Sequence, residues 1–233
     1  ANQNKPLPLY VPEDCKTLKE AVRRVYHDQR ITTIVLGEGE FPIDVRYLKI
    51  SSAMSIVGRP DVPKEKIVVV GGIWFKKGIQ GNCHLQHLTL RGAKGHGVDG
   101  RSSFTMEDVL VEQCGRSGVV ACDAGVVGRC TNIEVRQCGW SGVVACNGAS
   151  ITLIDAKTTV HHNCTKRESD DYGLKVTVPS SSTIQLVSPL TKEHVAFDNG
   201  GGGNWGAEQG GRIHQIKTIE MLPPRSTASA TET

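Results

Sequence analysis

An eleven-residue stretch, Glu112-Gln-Cys-Gly-Arg-Ser-Gly-Val-Val-Ala-Cys122, returns 24 residues later as Arg136-Gln-Cys-Gly-Trp-Ser-Gly-Val-Val-Ala-Cys146. Repetition on this scale means stacked units, because one such unit cannot bury an apolar face alone. The template also fits Leu88-Thr-Leu-Arg-Gly-Ala-Lys-Gly-His-Gly-Val98. It continues, with an insertion, in Thr159-Val160 and Gly173-Leu174, and then in Ile184-Gln-Leu186 and His194-Val195. The unit is too short for a propeller blade and lacks the helix of ankyrin or tetratricopeptide repeats. Three short strands per unit, about eight residues a side, predict an all-β fold: a right-handed, three-sided parallel β-helix of about seven coils.

Cys114, Cys122, Cys130, Cys138 and Cys146 are spaced eight apart. On three equal sides, each is expected to point inward and stack about 4.8 Å from its equivalent. Cysteine packs well as a small hydrophobe, so this ladder reads as buried thiols. A disulfide or a metal site are the competing readings, and the chain has no Cys-x-x-Cys pair. Leu88/Val109/Ile133, Leu90/Val111/Val135 and Val98/Val119/Val143 form aliphatic columns. Gly97, Gly118 and Gly142 mark a corner where a positive φ is expected. Arg91, Glu112 and Arg136 alternate in sign on the outside. A helix over about 16–26, capped by Asp14, is the N-terminal lid. Residues 1–13 read as an extended lead-in, 14–222 as one domain whose last coil either stays uncapped and pairs end to end with another copy or is closed by 212–222 through Ile213, Ile216, Ile219 and Met221, and 223–233 as a disordered tail.

The helix with Thr17-Leu-Lys-Glu-Ala-Val22, then Ile34-Val-Leu-Gly-Glu-Gly-Glu-Phe41, Ile50, Ser55-Ile-Val-Gly58 and the ladder resembles the opening of the pectin-lyase-like right-handed β-helix superfamily. The resemblance covers roughly residues 14–200. In style it is closest to intracellular eukaryotic β-helix repeat proteins, such as F-box substrate adaptors. Members of the superfamily often act on acidic polysaccharides, but fold alone does not transfer an activity.

Chemistry is expected where the repeat is interrupted. The 161–172 insertion carries His161, His162, Lys166, Arg167, Asp170, Asp171 and Tyr172. Histidine as base, arginine as carboxylate partner and tyrosine as acid would suit β-elimination from a uronate. Asp170 and Asp171 are the only suggestion of a cofactor, Ca²⁺, and two adjacent carboxylates are a weak signal. Otherwise no cofactor or metal is expected. A second candidate is the corner of His96, Arg116 and Trp140, where tryptophan beside arginine suits a sugar ring or a protein partner. The Gly-rich stretch 199–211 lacks a phosphate-loop ending and reads as a flap carrying Trp205.

Two functions follow. One is a non-catalytic binding or scaffold module for a carbohydrate or protein, using Arg116, Trp140, His96, Lys166 and Trp205. The other is a polysaccharide lyase, epimerase or hydrolase centred on His161, His162, Arg167, Asp170, Asp171 and Tyr172. Net charge is only +3, with signs mixed along the chain, so no nucleic-acid partner is expected. No apolar run approaches membrane-spanning length. Stacked free cysteines suit a reducing, intracellular compartment, with secretion the alternative. No signal peptide stands at Ala1, so one was cleaved or the chain belongs to a longer protein. Oligomeric state is not legible. The absence of a carboxylate column on neighbouring coils favours binding over catalysis.

Overall fold

The computed structural model describes residues 7–179, 181–208, 212 and 215–220. Ile213 and Met221 of the expected closing segment, the 223–233 tail and part of the Gly-rich stretch lie outside them. The chain winds into a parallel β-solenoid of about six turns, every strand pairing parallel with the turn before or after. Its first face runs from Leu7–Val11 and Ile31–Leu36 through Val127–Thr131 and Ser150–Ile154 to Thr183–Val187 and Ile216–Ile219. The second carries Glu134–Arg136, Thr159–His161 and Ala196–Phe197. The third carries Val98–Gly100, Val119–Cys122, Val143–Cys146, Tyr172–Val176 and Gly203–Ala207. Of the expected extended lead-in, Leu7–Val11 is extended and forms the first strand of the sheet. The number of turns is close to the seven expected. No helix among the described residues is long and apolar enough to cross a membrane.

Corners are built from residues that tolerate left-handed backbone. His87, Asp108 and Asn132 turn the chain between first and second faces with φ of 53°, 52° and 51°. Short polar side chains suit that region because they bond locally. Here they also bond across turns: Asp108 accepts from Lys64 Nζ at 2.7 Å and Asn132 Nδ2 at 3.1 Å, and meets His87 Nδ1 at 2.6 Å. At the next corner Gln113, Gln137, His162 and Asp198 take φ of 51–56°. The residues that follow, Cys114, Cys138 and Asn163, are buried, and Asn163 Oδ1 accepts from the Cys138 N–H at 3.1 Å. Asn199 Oδ1 in turn accepts from the Asn163 N–H at 3.0 Å, so an amide ladder continues the thiol ladder.

The core is aliphatic, and the expected columns pair in register: Leu88 with Val109, Leu90 with Val111 and then Val135, Val98 with Val119 and then Val143. Cys114, Cys130 and Cys138 join this core. Cys122 and Cys146 do not. Along the third face Val119 and Ala121 point inward, so by period two Val120 and Cys122 point outward, forming a separate apolar patch with Val144 and Cys146. Cys122 and Cys146 are register partners and form a disulfide, while the other six cysteines are free and buried. Burial pushes the Cys130 thiol up to about 12, which makes it a poor nucleophile.

Three further expectations change. The helix is Leu18–His27 and its cap is Thr17, whose hydroxyl accepts from the Glu20 N–H at 3.1 Å. Asp14 instead accepts from the Tyr10 N–H at 2.8 Å. Leu18, Ala21, Val22 and Val25 bury the expected face. Gly97, Gly118 and Gly142 are not among the positive-φ glycines; they are required by space. A Cβ on Gly118 would stand 2.8 Å from the Gly142 carbonyl oxygen and closer still to Val135. Finally, Glu112 is buried, not a solvated rung, with its side chain 5% exposed. Arg91 Nε donates to it at 2.7 Å and Arg136 Nη2 at 2.8 Å. Burial alone would raise the Glu112 carboxyl, but these bonds hold it below its ordinary value.

Gly118→Ala is expected to lower unfolding free energy by about 1–3 kcal/mol through overpacking between turns. Urea unfolding monitored by circular dichroism measures it, and an unchanged midpoint would contradict the spatial explanation.

Candidate functional site

Of the sequence candidates, the structure brings together His96, Arg116, Trp140 and Lys166. Gly95, Arg116 and Trp140 stack at the entrance to the third face, the Arg116 N–H donating to Gly95 O at 3.0 Å and the Trp140 N–H to Arg116 O at 3.3 Å. The Lys166 N–H donates to Gly139 O at 3.0 Å, which places Lys166 on the next turn. Trp140 therefore has cations on the turns to either side: Arg116 Cζ lies 4.8 Å and Lys166 Nζ 5.6 Å from the ring centroid. The ring does not lie bare as a stacking platform. It holds two positive charges by cation–π attraction.

His96 meets Trp140 edge-on at 6.1 Å. The His96 N–H donates to Tyr47 Oη at 2.9 Å, and its Nδ1 accepts from the Ser117 N–H at 3.2 Å. With Nδ1 an acceptor, the ring proton belongs on Nε2. Burial pushes the His96 pKa down to about 4; nearby Asp99 opposes the shift, while Arg116 and Arg101 add to it. His96 is thus a neutral residue in a cationic neighbourhood.

Beside this corner, Arg46, Lys49, Trp74, Asp99 and Arg101 line an open concavity of about 490 Å³ that also includes His96 and Arg116. Lys49, Trp74 and Asp99 are successive register partners on the outer third face. Arg101 Nε is held by Asp99 at 2.9 Å, and Lys49 Nζ lies 5.5 Å over the Trp74 ring. Sequence reasoning missed Arg46, Lys49 and Trp74 because they belong to turns that precede the clear repeat, and Asp99 and Arg101 because they lie just past the segment of its first coil that matches the template. Their only signal was Trp74 and the cations around it standing outside the aliphatic columns.

The 161–172 residues are dispersed. His161 sits on the outer second face, stacked on Phe197 at 5.0 Å; its Nε2 meets Glu134 at 3.0 Å and its Nδ1 meets His162 Nδ1 at 2.7 Å. Arg167 is exposed with φ 61°. Among the described residues, neither Arg167 nor Tyr172 is hydrogen-bonded to either histidine. Tyr172 packs over Gly202 and Gly206, and its N–H donates to Ser141 Oγ at 3.0 Å. Asp171 accepts from Ser141 Oγ at 3.0 Å, and burial raises its carboxyl above the ordinary value. Asp170 and Asp171 each lie 3.8 Å from Lys175 Nζ, so an ammonium already occupies the space between them. Among the described residues, no group of three His, Cys, Asp or Glu side chains is placed to hold a metal ion. Trp205 is not on a flap. It lies in the Gly203–Ala207 strand, in register with buried Leu174, packs against the core, and is covered by Lys192 at 5.1 Å.

Fold and site together define a parallel β-helix with a cationic, aromatic outer third face. No protein-family model, curated protein or solved structure matches the chain. The fold agrees with the superfamily resemblance without establishing membership.

The depressed His96 pKa has a definite sign. Between about pH 6.5 and 4 the unfolded chain takes up a proton that folded His96 refuses, so stability falls with pH across that window. His96→Gln keeps an acceptor for Ser117 and is expected to lose less stability than the wild type there. Urea titrations at successive pH values test this, and parallel curves would refute it.

Proposed function

We propose that this chain is a non-catalytic binding module that engages an acidic partner, carbohydrate or protein, along the entrance to its third face. The observation that carries this reading is Trp140 between Arg116 and Lys166 on neighbouring turns. An ordinary surface disperses its cations or pairs them with carboxylates. Here two are held by one aromatic ring from the turns on either side of it, and the adjoining concavity adds Arg46 and Lys49. Such an array raises the local concentration of an anionic partner and speeds encounter.

The polysaccharide lyase, epimerase or hydrolase reading finds less support. Both ring nitrogens of His161 are engaged, and the carboxylates of Asp170 and Asp171 face Lys175. His162 keeps Nε2 free of any partner among the described residues, but neither Arg167 nor Tyr172 is hydrogen-bonded to it, so base, carboxylate partner and acid are not assembled as one set.

Arg116→Glu with Lys166→Glu is expected to weaken binding of poly-glutamate or polygalacturonate by about tenfold or more, and to flatten its salt dependence. Fluorescence anisotropy at two ionic strengths reads this out. Unchanged affinity would sink the assignment of the surface. Unsaturated products from pectin or alginate, lost in His162→Ala, would overturn the binding reading in favour of the enzyme.

A further inference from the structure

The cationic concavity does not end at Lys49. It continues into a second hollow of about 280 Å³ between the N-terminal helix and the chain over 42–49, with Val45, Tyr47 and Lys49 lining both. The floor of this hollow is apolar: Val22, Tyr26, Ile43 and Leu48. Tyr26 is fixed there, its hydroxyl donating to Lys49 O at 2.9 Å and accepting from the Ser51 N–H at 3.0 Å. Val45 is 51% exposed, a large apolar side chain at the mouth. Lys19 and Arg23 stand at the rim. Across the two hollows six basic residues face two carboxylates, Asp44 and Asp99, and Asp99 is tied to Arg101.

We propose that this composite surface receives an extended acidic peptide segment bearing one large apolar anchor residue. The anchor enters the hollow beside the helix, and the carboxylates run along Lys49, Arg46 and Arg116. This rests on the binding-module reading and deepens it by choosing protein over carbohydrate. The apolar hollow decides the choice. It falls just below the size of pockets that enclose a drug-sized ligand, so it suits a single side chain. A sugar ring seated on that apolar floor would bury hydroxyls without partners.

Spacing agrees with an extended chain. Lys49, Trp74 and Asp99 lie on successive turns, and Arg116 enters the turn after. Three turn spacings span about 14 Å, which four or five extended residues cover. The inner strands of this face are paired on both sides, and along its edge strand Tyr26 Oη already takes the Lys49 carbonyl and the Ser51 N–H, so strand addition is not the mode offered there. Recognition must therefore come from side chains, through an apolar anchor and charge pairing.

Selection of random dodecapeptides on the whole 233-residue chain tests the proposal. The expected enrichment is two or more Asp or Glu residues within about five positions of a Leu, Phe or Met. For a selected peptide, Val45→Asp is expected to weaken binding about tenfold or more, and Arg46→Glu with Arg116→Glu by at least as much. Lys217→Glu, on the first face, serves as the control and is expected to leave affinity unchanged. Val45 is at the surface, and circular dichroism of the variant checks that its fold is retained. Enriched peptides without carboxylates, or peptides indifferent to Val45→Asp, overturn the proposal. Acidic oligosaccharides that bind through Arg116 but ignore Val45 overturn it while leaving the binding-module reading intact. Absence of both peptide and oligosaccharide binding removes both.

Discussion

Every strand in this molecule hydrogen-bonds to the equivalent strand of the next turn in parallel register, and that single constraint governs the rest. Equivalent residues stand directly over one another, about 4.8 Å apart, so each column of the sequence must be compatible with itself. Inside, this is easily met: Val on Val and Leu on Val bury apolar surface without strain. Outside, identical charges stacked in register would repel. The two copies of the eleven-residue repeat show how closely the sequence answers. They differ at only two positions, Glu112 against Arg136 and Arg116 against Trp140. The first pair is an ion pair of 2.8 Å, and the second a cation–π contact of 4.8 Å. Identity is kept wherever like on like is favourable and abandoned where it is not.

The same rule explains how a run of cations persists at one corner. Arg116 and Lys166 lie on turns two apart, and Trp140 occupies the turn between them. An aromatic ring separates the charges and attracts both, where a third cation would have added repulsion. Asp99 plays a comparable part lower on the face, neutralising Arg101 while Arg46, Lys49 and Arg116 remain outside any ion pair among the described residues. His96 contributes by staying neutral, since a charge there would sit among three arginines.

The period of the repeat was enough to place the core, because register follows from it directly. Val98, Val119 and Val143 could be stacked on paper for that reason. Side-chain direction was less legible. The even spacing of the cysteines suggested three equal sides, whereas the strands at Cys122, Cys130 and Glu134 have four, five and three residues. With unequal sides an eight-residue step changes parity, and Cys122 and Cys146 emerge on the outside. The glycine column was legible as a position but not as a cause: sequence cannot separate a residue chosen for its φ from one chosen for its lack of a Cβ. Cys164 went unnoticed as a further buried thiol because the insertion displaced it from the eight-residue spacing.

Half of the candidate surface was legible, and the division has a physical origin. Arg116 and Trp140 were found because they break a repeat whose other positions are fixed. Arg46, Lys49 and Trp74 lie where no clear repeat runs, and chain folding alone brings them to the same face. The hollow beside the helix is further removed still, since it needs Val22 from the cap and Val45 from a segment that leaves the sheet: the register of that long strand shifts between Pro42 and Tyr47. A solenoid surface is flat as long as its turns are equal, because equal turns leave no recess. Recesses therefore arise where a turn departs from its neighbours. The 43–46 excursion is such a departure, and it adjoins the cations that the repeat could not otherwise have gathered.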